Sequence, residues 1–223
     1  MKTGIKTFSF YSIGLGKNVP TIDSSSLFPS KNIIVSMETG VKTCGGLSPQ
    51  EGLWLVMLAA YMCCNKVFEI GTCSGKTTYN LALNIPGVVY TLDLPSGART
   101  TLLPVENRDH AFIGFKDHEK YWLGKSLANR IVPLYGDSAN YDFSPYCKSM
   151  DLVFVDGSHA YDYVRKDSES ALAMIHDHGV IVWHDYAPCW PGVVRALNKL
   201  ALKIPLCHLN GTSLVIYRRE EQP

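Results

Sequence analysis

Short apolar runs alternate along the chain with longer amphipathic stretches. Lys66-Val-Phe-Glu-Ile70, Gly87-Val-Val-Tyr-Thr-Leu-Asp93, Arg130-Ile-Val-Pro-Leu-Tyr135, Met150-Asp-Leu-Val-Phe-Val-Asp156 and Gly179-Val-Ile-Val-Trp-His-Asp185 have the length and β-branched content of buried strands. Between them, spacing close to the helical period marks Lys76–Ile85, Tyr161–Asp177 and a segment that begins at Pro191. Ser48-Pro49-Gln50-Glu51 signals a further helix start. It offers a capping residue, proline at the first helical position and an acid in the first turn. Ile204–Leu209 and Ser213–Arg219 predict a closing hairpin around Asn210-Gly211. Strands that alternate with helices imply parallel pairing, with helices on both faces of one α/β sheet. Residues 1–46 show weak periodicity and are taken as an N-terminal extension, residues 47–223 as a single globular domain. Residues 95–129 predict an irregular, partly helical excursion.

Composition narrows the function classes. The chain has 223 residues, 46% hydrophobic, with a formal net charge of +1. Such a chain suits one domain with a full core. Runs of Lys or Arg are missing, which argues against nucleic acid as partner. No stretch approaches the roughly 18 apolar residues of a bilayer span, and the N-terminus does not resemble a signal peptide. The seven cysteines are odd in number and none are paired as C-x-x-C, which argues against a disulfide framework or a zinc knuckle. The expectation is a cytoplasmic protein with reduced thiols, no membrane partner and scope for homo-oligomers.

Candidate chemistry sits at the strand ends. Glu69-Ile-Gly71-Thr72-Cys-Ser-Gly75-Lys-Thr follows the first run. It is one residue short of a P-loop and lacks the middle glycine of a dinucleotide fingerprint. An acid, a tight turn at Gly71, close approach at Gly75 and the open N–H groups of a helix start remain. Asp93 ends the second strand and is placed to accept ribose hydroxyls. Gly136-Asp137-Ser138 follows the third, where an acid can accept an adenine amino group. Three such ends point into one crevice.

Together these residues resemble the class I S-adenosylmethionine-dependent methyltransferases, from about Ser48 to Arg218. Val155-Asp-Gly-Ser-His-Ala-Tyr through Trp183-His-Asp-Tyr186 is similar to their small-molecule, methyltransferase 24-like branch. The resemblance implies a doubly wound, Rossmann-like sheet of seven mostly parallel strands, the last antiparallel. It implies cofactor contacts at Glu69, Gly71, Thr72, Gly75, Asp93, Asp137, Ser138 and Asp156. Many relatives have a third glycine where this chain has Cys73. Some bind a divalent cation, such as magnesium, through acids at the positions of Asp156 and Asp185.

Two carboxylates beside one space repel unless a cation or proton lies between them. Asp156, His184 and Asp185 are therefore the candidate metal ligands, and Asp156, His159 and Asp185 the candidate catalytic residues. His184 reads equally as a third ligand, a substrate-orienting group or a structural histidine. His159 reads as a general base whose tautomer Asp156 would fix, or as a loop-holding residue. His176, His178 and His208 are expected at helix ends or edges, and Arg165, Lys166 and Asp167 on a solvated helix face. Trp183 fits the core, and Trp190 the wall of a substrate pocket. The expected activity is methyl transfer from S-adenosylmethionine to a hydroxyl of a small molecule. The alternatives are a non-catalytic adenosylmethionine-binding or interaction protein and a nicotinamide binder. The missing glycine disfavours the latter.

Overall fold

The computed structural model describes residues 18–27, 32–39, 46–113 and 120–219. Cys44, the residues of the signal-peptide argument and parts of the expected 1–46 and 95–129 segments lie outside these. The strands are β1 (Thr21–Ile22), β2 (Lys66–Ile70), β3 (Val88–Asp93), β4 (Ile131–Tyr135), β5 (Met150–Val155), β6 (Ile175–Trp183), β7 (Cys207–Leu209) and β8 (Val215–Arg218). The helices are α1 (Ser24–Leu27), α2 (Pro49–Tyr61), α3 (Lys76–Asn84), α4 (Asp109–Ile113), α5 (Tyr161–Met174) and α6 (Pro191–Leu200).

One sheet runs in the order β1-β7-β8-β6-β5-β2-β3-β4, parallel throughout except for β8, which is antiparallel to β6 and β7. This is the doubly wound fold expected, with eight strands instead of seven. The additional strand is β1, two residues that pair with β7 at the edge. The amphipathic stretch after Tyr161 also ends earlier than its pattern suggests. The helix stops at Met174, and Ile175-His-Asp177 opens β6 across an irregular register with β5.

Each central strand is buried on both faces, so alternate side chains feed two cores. Val67, Val89, Leu152, Phe154 and Val182 face Leu55, Leu58, Ala59 and Leu81 of α2 and α3. Phe68, Ile70, Val153, Val155, Ile181 and Trp183 face Val164, Ala171, Val193 and Leu197 of α5 and α6. The chain turns outward in both directions from β2, which pairs with β3 on one side and β5 on the other. Open parallel sheets bind ligands beyond the carboxyl ends of the strands at such a switch point.

Candidate active site

Beyond those strand ends lies a cavity of about 790 Å³. Its walls combine the turn 70–74, Asp93, Asp137, Ser138 and the group Asp156, His159, His184 and Asp185. Segments at 37–39, 46–49 and 51–52 and the side chains of Val105, Phe112, Ile113 and Trp190 also line it. Among the described residues, no helix is long and apolar enough to cross a membrane. Among the described residues, Cys63, Cys64, Cys73, Cys147, Cys189 and Cys207 form no disulfide.

The turn after β2 has its shape for reasons of packing. Gly71 has φ +98°, and a Cβ there would lie 2.0 Å from the carbonyl oxygen of Asp156. The backbones after β2 and β5 thus touch, which brings the two halves of the cavity together. Gly75, with φ +80°, caps α3 in the left-handed conformation. The close approach it permits is to Trp122, whose ring would lie 2.0 Å from an added Cβ, and not to the cavity. Cys73 also has positive φ, at 46°.

Glu69 lies beneath the cavity and outside its lining. It is fully buried and accepts hydrogen bonds from Thr78 and from Thr91 Oγ1, the latter at 2.6 Å. Thr72, in the cavity wall, is 2.6 Å from Thr91 and joins the same chain of hydroxyls. Burial pushes the Glu69 carboxyl up to about 8, so it is mostly neutral at pH 7. Its Oε1 has no partner.

Asp93 faces the cavity with Oδ2 3.5 Å from the ammonium of Lys120 and Oδ1 accepting from Leu94 N at 2.9 Å. Asp137 is more heavily engaged. It accepts from Leu102 N at 2.8 Å, Ala139 N at 2.9 Å and the Tyr163 hydroxyl at 2.7 Å. An adenine amino group would have to share or displace one of these donors. Ser138 lies beside it in the lining.

At the ends of β5 and β6 the acids and imidazoles interlock. His184 Nδ1 lies 2.9 Å from Asp156 Oδ1 and 3.1 Å from Asp185 Oδ2, and its Nε2 lies 3.5 Å from Glu51 Oε2. His159 Nε2 is 2.9 Å from Asp185 Oδ2, and its Nδ1 is hydrogen-bonded to Asp109. Asp156 therefore does not orient His159, as the sequence suggested. It pairs with His184, and Asp109 and Asp185 hold His159. Asp109 also accepts from Ser158 Oγ at 2.7 Å and His159 N at 3.1 Å. The Trp190 ring stacks on His159 at 3.5 Å between centroids, which places it in the cavity wall.

These contacts set the charges. Burial alone would lower the pKa of His159, but its bonds to Asp109 and Asp185 raise it to about 9. Burial also opposes the His184 imidazolium, yet Asp156, Asp185 and Glu51 hold its pKa far above the usual histidine range. Burial would raise Asp185, but His159 and His184 keep it well below the usual carboxylate range. For Asp156, burial prevails over His184 and raises the pKa. Four carboxylates, those of Glu51, Asp109, Asp156 and Asp185, meet two imidazoles, so acid is in excess even with both rings protonated.

One oxygen each of Asp156 and Asp185 and one ring nitrogen of His184 lie within 4.8 Å of one another, a spacing that fits a single cation. Glu51 and Asp109 were not among the expected site residues. Glu51 shows in the sequence only as a helix-capping acid. Asp109 lies in the 95–129 excursion, where no periodicity marks it.

Other expectations resolve away from the cavity. His176 bonds Asp151 and His208 bonds Thr212. Trp183 is buried and donates to Ser168 Oγ at 2.9 Å. Arg165 is exposed and pairs with Glu169 at 2.8 Å. Asp167, expected on the solvated face, is instead buried at 1% exposure, because α5 turns that side toward the sheet.

A family model described as "Methyltransferase domain" matches residues 68–186, slightly more than half of the chain. No curated protein matches the sequence. Among solved structures, an O-methyltransferase from Bacillus cereus in complex with SAH is 18% identical, with 79% of this chain and 83% of that one covered and a TM-score of 0.55. TomG from Streptomyces achromogenes, an O-methyltransferase involved in tomaymycin synthesis and solved with SAM, is 17% identical, with 79% and 82% covered and a TM-score of 0.57. An SAH-bound methyltransferase from Podospora anserina is 18% identical, with 78% and 80% covered and a TM-score of 0.55. At these identities the likeness carries the fold.

Proposed function

The chain belongs to the methyltransferase-domain family, and on that premise we propose that it transfers the methyl group of S-adenosylmethionine to a hydroxyl oxygen of a small molecule, assisted by a divalent cation. The observation that carries this reading is the continuity of one cavity. It runs from Asp93 and Asp137 at the ends of β3 and β4 to the acid–imidazole group at the ends of β5 and β6.

The residues present fit the cofactor. Asp93 offers a carboxylate for ribose hydroxyls, and Asp137 and Ser138 flank the place for adenine. Lys76 and Thr77, in the wall at the start of α3, offer backbone N–H groups to a carboxylate. The excess of acid suits a ligand that carries positive charge. When bound, S-adenosylmethionine supplies an electrophilic methyl on a sulfonium.

The acceptor then lies against Asp156 and Asp185, beside Val105, Phe112 and Trp190. Asp156, His184 and Asp185 would hold a divalent cation, which would favour the deprotonated hydroxyl, and the cavity would position the two reactants. In the structure the Nε2 proton of His159 is engaged by Asp185. His159 could take the acceptor's proton only after its Nε2 proton had been lost to solvent, a loss that would be favoured if Asp185 turned from it toward a cation. The ligand and the base are therefore complementary parts of one site.

Incubation with labelled S-adenosylmethionine and matched panels of hydroxyl and amine acceptors tests the proposal. Methylated product is expected from hydroxyl acceptors, abolished by chelator and restored by magnesium or manganese. Transfer to amines alone would overturn the hydroxyl reading, and full turnover in chelator would overturn the cation.

A further inference from the structure

We propose that Glu51 is a positioning residue of the Asp156–His184–Asp185 group, holding Nε2 of His184 so that Nδ1 is presented where the two aspartates converge. The inference rests on the cation reading above and adds a residue from a different part of the fold.

Glu51 sits in the first turn of α2, lines the cavity and is buried at 8% exposure. Its two oxygens are fixed from opposite sides. Oε1 accepts from Ser213 N and Ser213 Oγ, both at 2.8 Å. Oε2 accepts from Ser48 N at 3.0 Å and Ser48 Oγ at 2.7 Å, and lies 3.5 Å from His184 Nε2. Across the ring, Nδ1 faces Asp156 and Asp185 at 2.9 and 3.1 Å. The imidazole is thus strung between a carboxylate and the candidate ligand oxygens.

Helix capping accounts for the contacts with Ser48. It does not account for those with Ser213 and His184. Ser213 also accepts from Tyr186 N at 3.0 Å through its carbonyl oxygen. It thereby fixes the backbone just past Asp185, which holds a left-handed φ of 63°. One loop residue between β7 and β8 therefore ties Glu51 to the strand end that bears His184 and Asp185.

A neutral imidazole binds a cation through one nitrogen while the other keeps its proton. A carboxylate at the far nitrogen selects that tautomer and orients the ring. A cation between the two aspartates would displace the Nδ1 proton, and Glu51 at Nε2 would retain the other. The resulting donor set, two oxygens and one nitrogen, favours manganese, iron or zinc over calcium.

The test uses Mn(II) with the full chain. Titration calorimetry gives the Mn(II) affinity, and pulsed electron paramagnetic resonance reports nitrogen coupled to the bound ion. Glu51→Gln is a suitable variant because Gln serves equally at that position of a capping box. The expected result is a nitrogen signal in the wild type and a loss of about 10- to 100-fold in Mn(II) affinity in Glu51→Gln, with a weakened nitrogen signal. The metal-free melting temperature should fall modestly, because an amide N–H then faces the donors of Ser48 or Ser213, but SAH affinity should stay near wild type, which a general loss of structure around the cavity would not predict. Unchanged Mn(II) affinity and nitrogen signal in Glu51→Gln would overturn the proposal. Bound Mn(II) without nitrogen coupling in the wild type would overturn it with no variant needed, while leaving a carboxylate-only cation site standing. No Mn(II) binding by the wild type, with SAH still bound, would overturn the cation reading and the role of Glu51 with it.

Discussion

His159 is fixed on three sides: Asp109 at Nδ1, Asp185 at Nε2 and the Trp190 ring on one face. Asp109 is the least replaceable of these, since it also anchors Ser158 and the backbone of His159. Asp109→Asn keeps the shape but removes the charge that orients the ring. Turnover should fall by about 10²-fold or more, the contribution of a well-placed proton-transfer group. Steady-state kinetics with SAH titration checks it; a variant that loses SAH affinity in the same proportion would place Asp109 in cofactor binding instead. The sequence left Asp109 unassigned for a physical reason. Its partner is 50 positions away, and pairing across loops leaves no periodic trace. Asp167 is the converse case. It stands beside exposed Arg165 on one helix, and only the packing of α5 on the sheet decides that it is buried.

At the scale of elements, the turn between β2 and α3 joins the two halves of the site. Gly71 abuts the Asp156 carbonyl, so a methyl group there must push apart the ends of β2 and β5. A left-handed φ makes alanine unfavourable at that position as well. Gly71→Ala should lower stability by about 1–3 kcal/mol, from overpacking and backbone strain. For a chain of this size that is a melting shift of roughly 2–12 °C. Differential scanning calorimetry reads it, and a variant as stable as wild type would mean that the turn relaxes freely. The five strands of the central sheet were legible because each is a short apolar run with its acid or glycine at the end. β1 was not, because two residues carry no pattern and their pairing depends on β7, far along the chain. Gly75 was legible as a special position, but what fills the space beside it, Trp122, was not.

For the whole molecule, the carboxylates around the cavity tie stability to pH. The folded-state pKa of His159, about 9, lies above its ordinary value of 6.5. Folding favours the charged ring, so this contribution is complete below about pH 6.5 and is lost as pH rises toward 9. Asp109 and Asp185 are shifted the other way, and their contribution is lost only in acid. The melting temperature of the ligand-free protein should therefore fall between pH 6.5 and 9. A flat or rising profile would mean that His159 is not held as an imidazolium.

On the proposed function, one cavity has a cofactor end at Asp93 and a chemical end at Asp156 and Asp185. Calorimetric titration with SAH, which lacks the transferable methyl, separates the two ends without any substrate. Asp93→Ala removes a charged acceptor for ribose hydroxyls. It should weaken SAH by about 1.5–3 kcal/mol, roughly 10- to 150-fold. Asp185→Ala should leave SAH affinity within about threefold of wild type, below the roughly 1 kcal/mol of an ordinary hydrogen bond. Tight SAH binding in wild type, lost in the first variant and kept in the second, is the predicted result. Equal losses in both variants would mean that the two ends are not distinct, and no SAH binding by the wild type would mean that the cavity has no cofactor end.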